Sequence, residues 1–324
     1  MENQISLFIV VSLLIAGIAA LVWAADRFVE GAASIADHFG LSPLIIGLTV
    51  ISIGTSAPEI LVSANAAMNK SSGLAVGNAL GSNLANIGLV LAITALISPL
   101  VIRPNVARSE VPIMLGVTVL AGIVLVNSYL GRWESLFLLL CLILFILFLI
   151  QKSKKGSVQG SDEVAENIPH KPLKSGVLTT LFGLVILILS SRLLVWSASE
   201  LASQFGVSDL VIGVTIVAVG TSLPELAASL AGALKGHSDM AIGNILGSNI
   251  FNLLAVLPVA GIIYPTHIEG ISFVRDYGTV LALSALLGLA CLWKTRQNQA
   301  GQLGRPLASI MLLIYIGYYY WLLL

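Results

Sequence analysis

Ionisable side chains are scarce in this chain. Of its 324 residues only 10% are Asp, Glu, Lys or Arg, against 57% hydrophobic, and the mean hydropathy is +0.98. A soluble domain carries about 25% charged residues, so a water-facing globule is excluded and an integral membrane protein is indicated. The 16 basic and 16 acidic residues cancel, which removes the basic footprint that a nucleic-acid partner demands. Cysteine is nearly missing. Cys141 and Cys291 each sit inside an apolar run, where small buried apolar residues are expected rather than a disulfide framework or a zinc site. Histidine is equally thin: His38, His170, His237 and His267 fall at loops or span ends and read as solvated surface. With no GxSxG, no HExxH and no motif histidine to act as a base, an intramembrane enzyme lacks its apparatus, and neither catalysis nor a bound cofactor is expected.

Long apolar runs are what the chain has in abundance. Runs of about twenty residues suffice to cross roughly 30 Å of hydrocarbon, and there are ten, near residues 5–25, 41–68, 74–98, 109–128, 133–151, 175–198, 207–234, 239–263, 274–293 and 306–323. The predicted fold class is therefore all-α, a polytopic membrane protein of ten transmembrane helices. The first run lacks a basic leader region and ends in Trp23, Ala24, Ala25, Asp26, so it reads as a retained span. Asp26, Arg27, Glu30 and Asp37 read as an interfacial loop beyond it. One polar stretch, residues 152–174, carries five lysines, three acids and two prolines and reads as a linker, a solvated tether between a first half (1–151) and a second half (175–324) of five spans each. Five is odd, so the second half must enter the membrane from the opposite side, which makes the halves inverted five-helix repeats. Loops on the linker's side hold twelve Lys and Arg, those on the other side four. Basic loops stay cytoplasmic, so the linker is expected in the cytoplasm and both termini on the non-cytoplasmic side of the cell's inner (cytoplasmic) membrane.

The halves also share words. GTSAPE at Gly54–Glu59 and GNALGSNLAN at Gly77–Asn86 return as GTSLPE at Gly220–Glu225 and GNILGSNIFN at Gly243–Asn252, at a constant offset of 166 residues. Residues 41–93 and 207–259 agree at 23 of 53 positions without a gap, mostly at Gly, Ser, Thr, Asn, Pro and Glu. Shared hydrophobicity cannot produce such a match. An acid near the middle of a membrane helix costs about 2.5–3.5 kcal/mol even on insertion scales, and Glu59 and Glu225 incur that cost twice, which points to function.

The motif supplies oxygen. Pro58 cannot donate to the Gly54 carbonyl and crowds it, and Pro224 does the same to Gly220. A freed carbonyl inside a bilayer needs a partner, and a cation is one. At helical spacing Ser52, Ser56, Glu59 and Ser63 share a face, with Thr55 beside them. Asn78, Ser82 and Asn86 form a second polar stripe, repeated by Asn244, Ser248 and Asn252. Asn83 and Asn249 lie off that stripe and are expected to make structural hydrogen bonds, while Gly77, Gly81, Gly243 and Gly247 would let helices approach closely. Two carboxylates with hydroxyl, amide and carbonyl oxygens make a hard site with a formal charge of −2. Calcium, which takes 6–8 oxygens in flexible geometry, suits it better than zinc, copper or iron, which call for His or Cys. The same oxygens could hold Na⁺, and competition between one divalent ion and several monovalent ones is what exchange requires.

GTSxPE followed by GNxLGSNxxN, duplicated in inverted halves, resembles the repeats of the calcium/cation antiporter superfamily, in its sodium/calcium exchanger branch. The short linker resembles that of prokaryotic exchangers. The resemblance implies ion sites between the second, third, seventh and eighth spans, and gating by the first and sixth. By position it implies Glu59 and Glu225 as central calcium ligands. Thr55, Ser56 and Ser82, with Thr221, Ser222 and Ser248, fall where the family has sodium ligands, and Ser52 and Ala218 where it offers backbone oxygen. Asn86 and Asn252 fall where the family uses Asn or Asp. Many members place an acid at one of these last two positions, and this chain departs from them. The expected function is exchange of Na⁺ for Ca²⁺ by alternating access, with the two ions and the lipid bilayer as partners. A proton/calcium or broader cation exchanger is the alternative, disfavoured because the second motif lacks the further acid expected there. A passive channel fits inverted, broken helices less well.

Overall fold

The computed structural model describes residues 6–156, 172–207, 216, 218–268 and 270–323. Helix α1 (Leu7–Phe39) is followed by α2 (Pro43–Thr55), α3 (Ala57–Met68), α4 (Gly73–Ile97), α5 (Pro104–Val124), α6 (Arg132–Ser153) and α7 (Leu173–Gln204). Then come α8 (Ala218–Thr221), α9 (Leu223–Leu234), α10 (Ser238–Ile263), α11 (Val274–Lys294) and α12 (Arg305–Leu323). Among the described residues seven helices are long and apolar enough to cross a membrane, and the bent pair α2–α3 makes an eighth. The chain is thus a mostly helical, multi-pass integral membrane protein. The expected seventh run, 207–234, falls partly on 208–215, outside the described residues, as does 157–171, most of the expected linker.

Helix α1 corrects one expectation. Asp26, Arg27, Glu30 and Asp37 belong to this 33-residue helix and not to a loop. Nothing in the segment breaks a helix until Gly40, whose left-handed backbone (φ 61°) ends it with N–H bonds to the Ala36 and Asp37 carbonyls. Arg27 pairs with Glu30 one turn on at 2.8 Å, and Asp26 with Lys235 of the second half at 2.7 Å. At 1.5 Å per residue the helix is about 50 Å long, so it outruns the hydrocarbon and carries these charges on its final turns. It packs along α7 with backbones nearly touching: a Cβ at Gly31 would lie 2.5 Å from Thr180, and one at Gly183 2.6 Å from Phe28. Most of the rest of both helices faces outward, as apolar residues such as Ile15 and Leu181 show.

The two motif helices lie innermost. In α4 and α10, 72% and 89% of the apolar window is buried, against 22% in α1 and α6. Two short antiparallel ribbons, absent from the all-α expectation, tie the halves together. β1 (Leu100–Ile102) pairs with β4 (Gly301–Leu303), and β2 (Tyr129–Leu130) with β3 (Thr266–His267). Each ribbon takes one strand from each half, and β1 and β3 start 166 residues apart. Strands of two or three residues show no alternation long enough to read from sequence. Nearby charges are paired: Arg103 with Asp239 at 3.0 Å, and Lys152 with the buried Glu110 and, at 2.8 Å, with Ser109. Cys291 is buried and Cys141 half-buried, both as free thiols. His237 is half-buried rather than fully solvated.

Candidate functional site

The site is built on two breaks in register. Between α2 and α3 the helix axis turns by 41°, and the residue at the break, Ser56, has φ −82° and ψ 0°. Ser222, between α8 and α9, repeats it at φ −90° and ψ 5°. Each break is followed by a proline in the first turn of the next helix, where its missing N–H costs nothing and its ring prevents the preceding turn from closing. One turn on, Glu59 and Glu225 open α3 and α9, each 1% exposed. Partly positive helix N-termini underlie both carboxylates.

The repeats interlock at this point. Ser56 donates its hydroxyl to Glu225 Oε1 at 3.3 Å, and Thr55 donates to Asn244 Oδ1 at 3.3 Å. Hydroxyls of the first motif thereby serve the acid and the amide of the second. The end of α2 packs on α10, and α8 packs on α4. The two carboxylates belong to helices of opposite halves, and both are buried. Each is set by an asparagine of the neighbouring helix. Asn78 donates to the Glu59 carbonyl at 3.1 Å and to Ser63 Oγ at 3.0 Å. Asn244 donates to the Glu225 carbonyl at 3.3 Å and to Ser229 Oγ at 2.9 Å. Asn78, Asn244 and Ser63 belong to the polar stripes of the sequence, but spacing does not distinguish a ligand from the group that orients it.

Six of the remaining candidates, Ser52, Ser82, Asn86, Ser222, Ser248 and Asn252, are buried on the same elements. Ser82 and Asn86 lie in α4, Ser248 and Asn252 in α10, and Ser222 at the second break. Ser52 turns its own hydroxyl to the Thr49 carbonyl at 3.3 Å, Thr221 is half-buried, and Ala218 begins α8. Among the described residues no hydrogen-bond partner meets either oxygen of Glu59, Oε2 of Glu225, the hydroxyls of Ser222 and Ser248, or the amides of Asn86 and Asn252. Buried polar atoms are ordinarily paired, and a buried carboxylate without a donor is costly. A set of unpartnered hard oxygens dominated by two acids is what a calcium or sodium ion completes. No cluster of three or more His, Cys, Asp or Glu exists among the described residues, so neutral oxygens must supply the rest.

Two kinds of feature were not visible in the sequence. Asn86 opens a π-helical turn (Asn86–Leu91) and so does Asn252 (Asn252–Val256), while a third (Gly47–Ile51) precedes the first break. Such widened turns recur at functional sites, and no residue type announces them. The freed carbonyl of Gly220 is met by the hydroxyl of Ser191 on α7 at 2.9 Å, one of several serines on that helix and outside the repeated motif. Gly243 and Gly247 do admit a close neighbour: a Cβ at Gly247 would stand 2.6 Å from Ser52 Oγ, and one at Gly243 2.5 Å from the Leu44 carbonyl. For Gly77 and Gly81 no described atom lies within 4 Å, and residues 210, 213 and 214, the repeat equivalents of Leu44, Gly47 and Leu48, lie outside the described residues. Asn249 bonds the Ile245 carbonyl at 2.7 Å, in a structural role, whereas Asn83 has no partner among the described residues.

Comparison with known proteins places this geometry in context. The sodium/calcium exchanger protein family matches residues 9–151 and 175–324. "Inner membrane protein YrbG" of Escherichia coli is 40% identical over 96% of this chain and 97% of its own length. "Putative antiporter CaxA" of Alkalimonas amylolytica is 44% identical over 94% and 95%, and "Sodium/calcium exchanger MaX1" of Methanosarcina acetivorans 30% over 85% and 89%. A crystal structure of the sodium-calcium exchanger NCX_Mj, soaked with Na⁺ and Sr²⁺, superimposes with a TM-score of 0.81 at 33% identity, covering 96% of this chain and 97% of that one.

Proposed function

Since the chain belongs to the sodium/calcium exchanger protein family, a family of transporters, we propose that it exchanges Na⁺ for Ca²⁺ by alternating access at the site between its two breaks. The observation that carries this reading is the pair Glu59 and Glu225, buried together with three of four carboxyl oxygens unpartnered among the described residues. One Ca²⁺ balances their charge. Around it, Thr55, Ser56, Ser82 and Asn86 of the first half and Thr221, Ser222, Ser248 and Asn252 of the second, with backbone oxygens at Ser52 and Ala218, supply neutral ligands suited to Ca²⁺ or to Na⁺ in its place. Both ions draw on the same two carboxylates, so loading one set expels the other, and an opposing gradient then drives transport.

The architecture of this proposal is ten spans in two inverted halves, 1–151 and 175–324, joined by a cytoplasmic linker at 152–174, with both termini on the other side. The 166-residue repeat, the matching breaks and the two ribbons, each with one strand from each half, support it. The name of the Escherichia coli relative, an inner membrane protein, supports the inner membrane. The close, outward-lying pair α1 and α7 is suited to slide as a unit and open the site to one side at a time.

Purified protein in vesicles should take up Ca²⁺ when a Na⁺ gradient opposes it, and E59Q or E225Q should abolish uptake while leaving thermal unfolding in detergent within a few degrees of wild type. Sodium-driven uptake surviving in both variants would remove the assignment. Proton/calcium exchange is the second reading, and the 44%-identical relative, named an antiporter without a counter-ion, is compatible with it. Replacing the Na⁺ gradient by a pH gradient separates the two.

A further inference from the structure

Pro224 leaves the Gly220 carbonyl without its helical donor, and the hydroxyl of Ser191 takes that place from α7 at 2.9 Å, in a buried setting. One turn on, Val195 lies against the same glycine, since a Cβ at Gly220 would come within 2.0 Å of its side chain. A hydrogen bond and a close apolar contact therefore dock α7 on the second break. The first repeat has Val29 where the second has Val195, but Ala25 where it has Ser191. A methyl group donates nothing, so α1 cannot cap the Gly54 carbonyl in this way. The packing differs as well: the described atoms nearest a Cβ at Gly54 belong to Leu184 and Phe28, at 3.1 and 3.2 Å. Two repeats with the same motif hold their breaks differently.

We propose that Ser191 is a positioning residue whose hydrogen bond to the Gly220 carbonyl favours the present docking of α1 and α7 over its repeat-swapped counterpart, the opposite access state, because Ala25 denies that state the matching bond. This rests on the antiporter reading, in which the inverted repeats exchange conformations between states. In the opposite state α1 docks on Gly54 as α7 docks on Gly220, and residue 25 stands where residue 191 now stands. A hydrogen bond between neutral groups shifts such a balance by about two- to tenfold. Removing the hydroxyl at 191 and adding one at 25 act on different helices in different halves, yet both move the balance away from the present state. A role confined to stabilising the fold makes no such pairing.

The full-length chain in oriented vesicles tests this through Ca²⁺–Ca²⁺ exchange, with Ca²⁺ varied on one face at a time. The ratio of half-saturating Ca²⁺ at the two faces reports the balance of the access states. S191A is expected to change the ratio by about two- to tenfold, A25S to change it in the same direction, and the double variant to multiply the two changes. S191T, which keeps a hydroxyl, and S190A, whose hydroxyl bonds the Leu187 carbonyl of its own helix at 3.0 Å, should stay at the wild-type ratio. An unchanged ratio in S191A, an opposite shift in A25S, or an equal shift in S190A overturns the proposal. The assay needs no sodium. Wild-type Ca²⁺–Ca²⁺ exchange without any sodium dependence would fell only the counter-ion assignment, whereas wild type carrying no calcium exchange would fell the antiporter reading and this inference with it.

Discussion

Replacing Asn244 by alanine should cost far more than the same change at its repeat partner Asn78, and the structure supplies the magnitude. Asn244 is fully buried and makes three hydrogen bonds, donating to the Glu225 carbonyl and Ser229 Oγ and accepting from Thr55 Oγ1. Its loss strands a carbonyl and two hydroxyls away from water. At about 1 kcal/mol per neutral bond, and up to about 3 for a group left buried and unpaired, the variant should lose about 3–5 kcal/mol. Thr55 keeps a 3.4 Å bond to the Ser52 carbonyl, which holds the figure at the lower end. Asn78 makes two such bonds from a half-buried position that water can reach, so about 1–2 kcal/mol is expected there. For a chain of 324 residues a difference of about 2 kcal/mol corresponds to roughly 3 °C in Tm. Thermal unfolding of purified N244A and N78A in one detergent measures it. Calcium titration should rank them the same way, because Asn244 alone of the two links Thr55 of the first repeat to the Glu225 turn of the second. Equal losses in the two variants, or a larger one in N78A, would show that these cross-repeat bonds do not organise the site.

Other perturbations test other parts of the argument. G247A places a Cβ 2.6 Å from Ser52 Oγ and 2.8 Å from Ser52 Cβ, so about 1–3 kcal/mol of overpacking and a fall in calcium uptake are expected. G317A, with no described atom within 4 Å, should change neither uptake nor Tm. K152M strips Glu110, which is 2% exposed, of its cation and should lower stability by about 1–3 kcal/mol, discounted for the part-exposed lysine. Adding E110Q to K152M should restore part of the loss in Tm. Burial and the neighbouring Lys235 hold the His237 pKa below its ordinary value. The folded protein therefore favours the neutral ring, so stability is complete above about pH 7 and declines as pH falls through the unfolded value near 6.5. H237N should flatten Tm against pH between about 7 and 5, and an unaltered slope would show that this histidine does not couple to folding.

Much of the candidate site is written in residue types. Glu59 and Glu225 stand out because acids in apolar runs are costly, Pro58 and Pro224 announce breaks, and the break geometry at Ser56 and Ser222 repeats as closely as the motif does. The orienting roles of Asn78 and Asn244 are less legible, since the Asn78–Ser82–Asn86 stripe looks uniform until one end is seen to bond the glutamate backbone while the other has no partner among the described residues. Charge misleads at Asp26 to Asp37: such a run reads as a loop where hydropathy alone sets the boundary, yet helix continues because nothing stops it before Gly40. Ser191 carries no signal at all.

From the sequence alone came the membrane habitat, the duplication, the odd number of apolar runs per half and the oxygen-bearing residue types of the repeated motif, because each depends on composition, identity or spacing along one strand of chain. Tertiary structure decided what crosses from one half to the other: Ser56 on Glu225, Thr55 on Asn244, Ser191 on Gly220, and the two ribbons. Those contacts depend on how each helix is rotated and where it breaks or widens into a π-turn. Such rotations are set by close packing between segments more than a hundred residues apart, as at Gly247 against Ser52, and no local pattern encodes them.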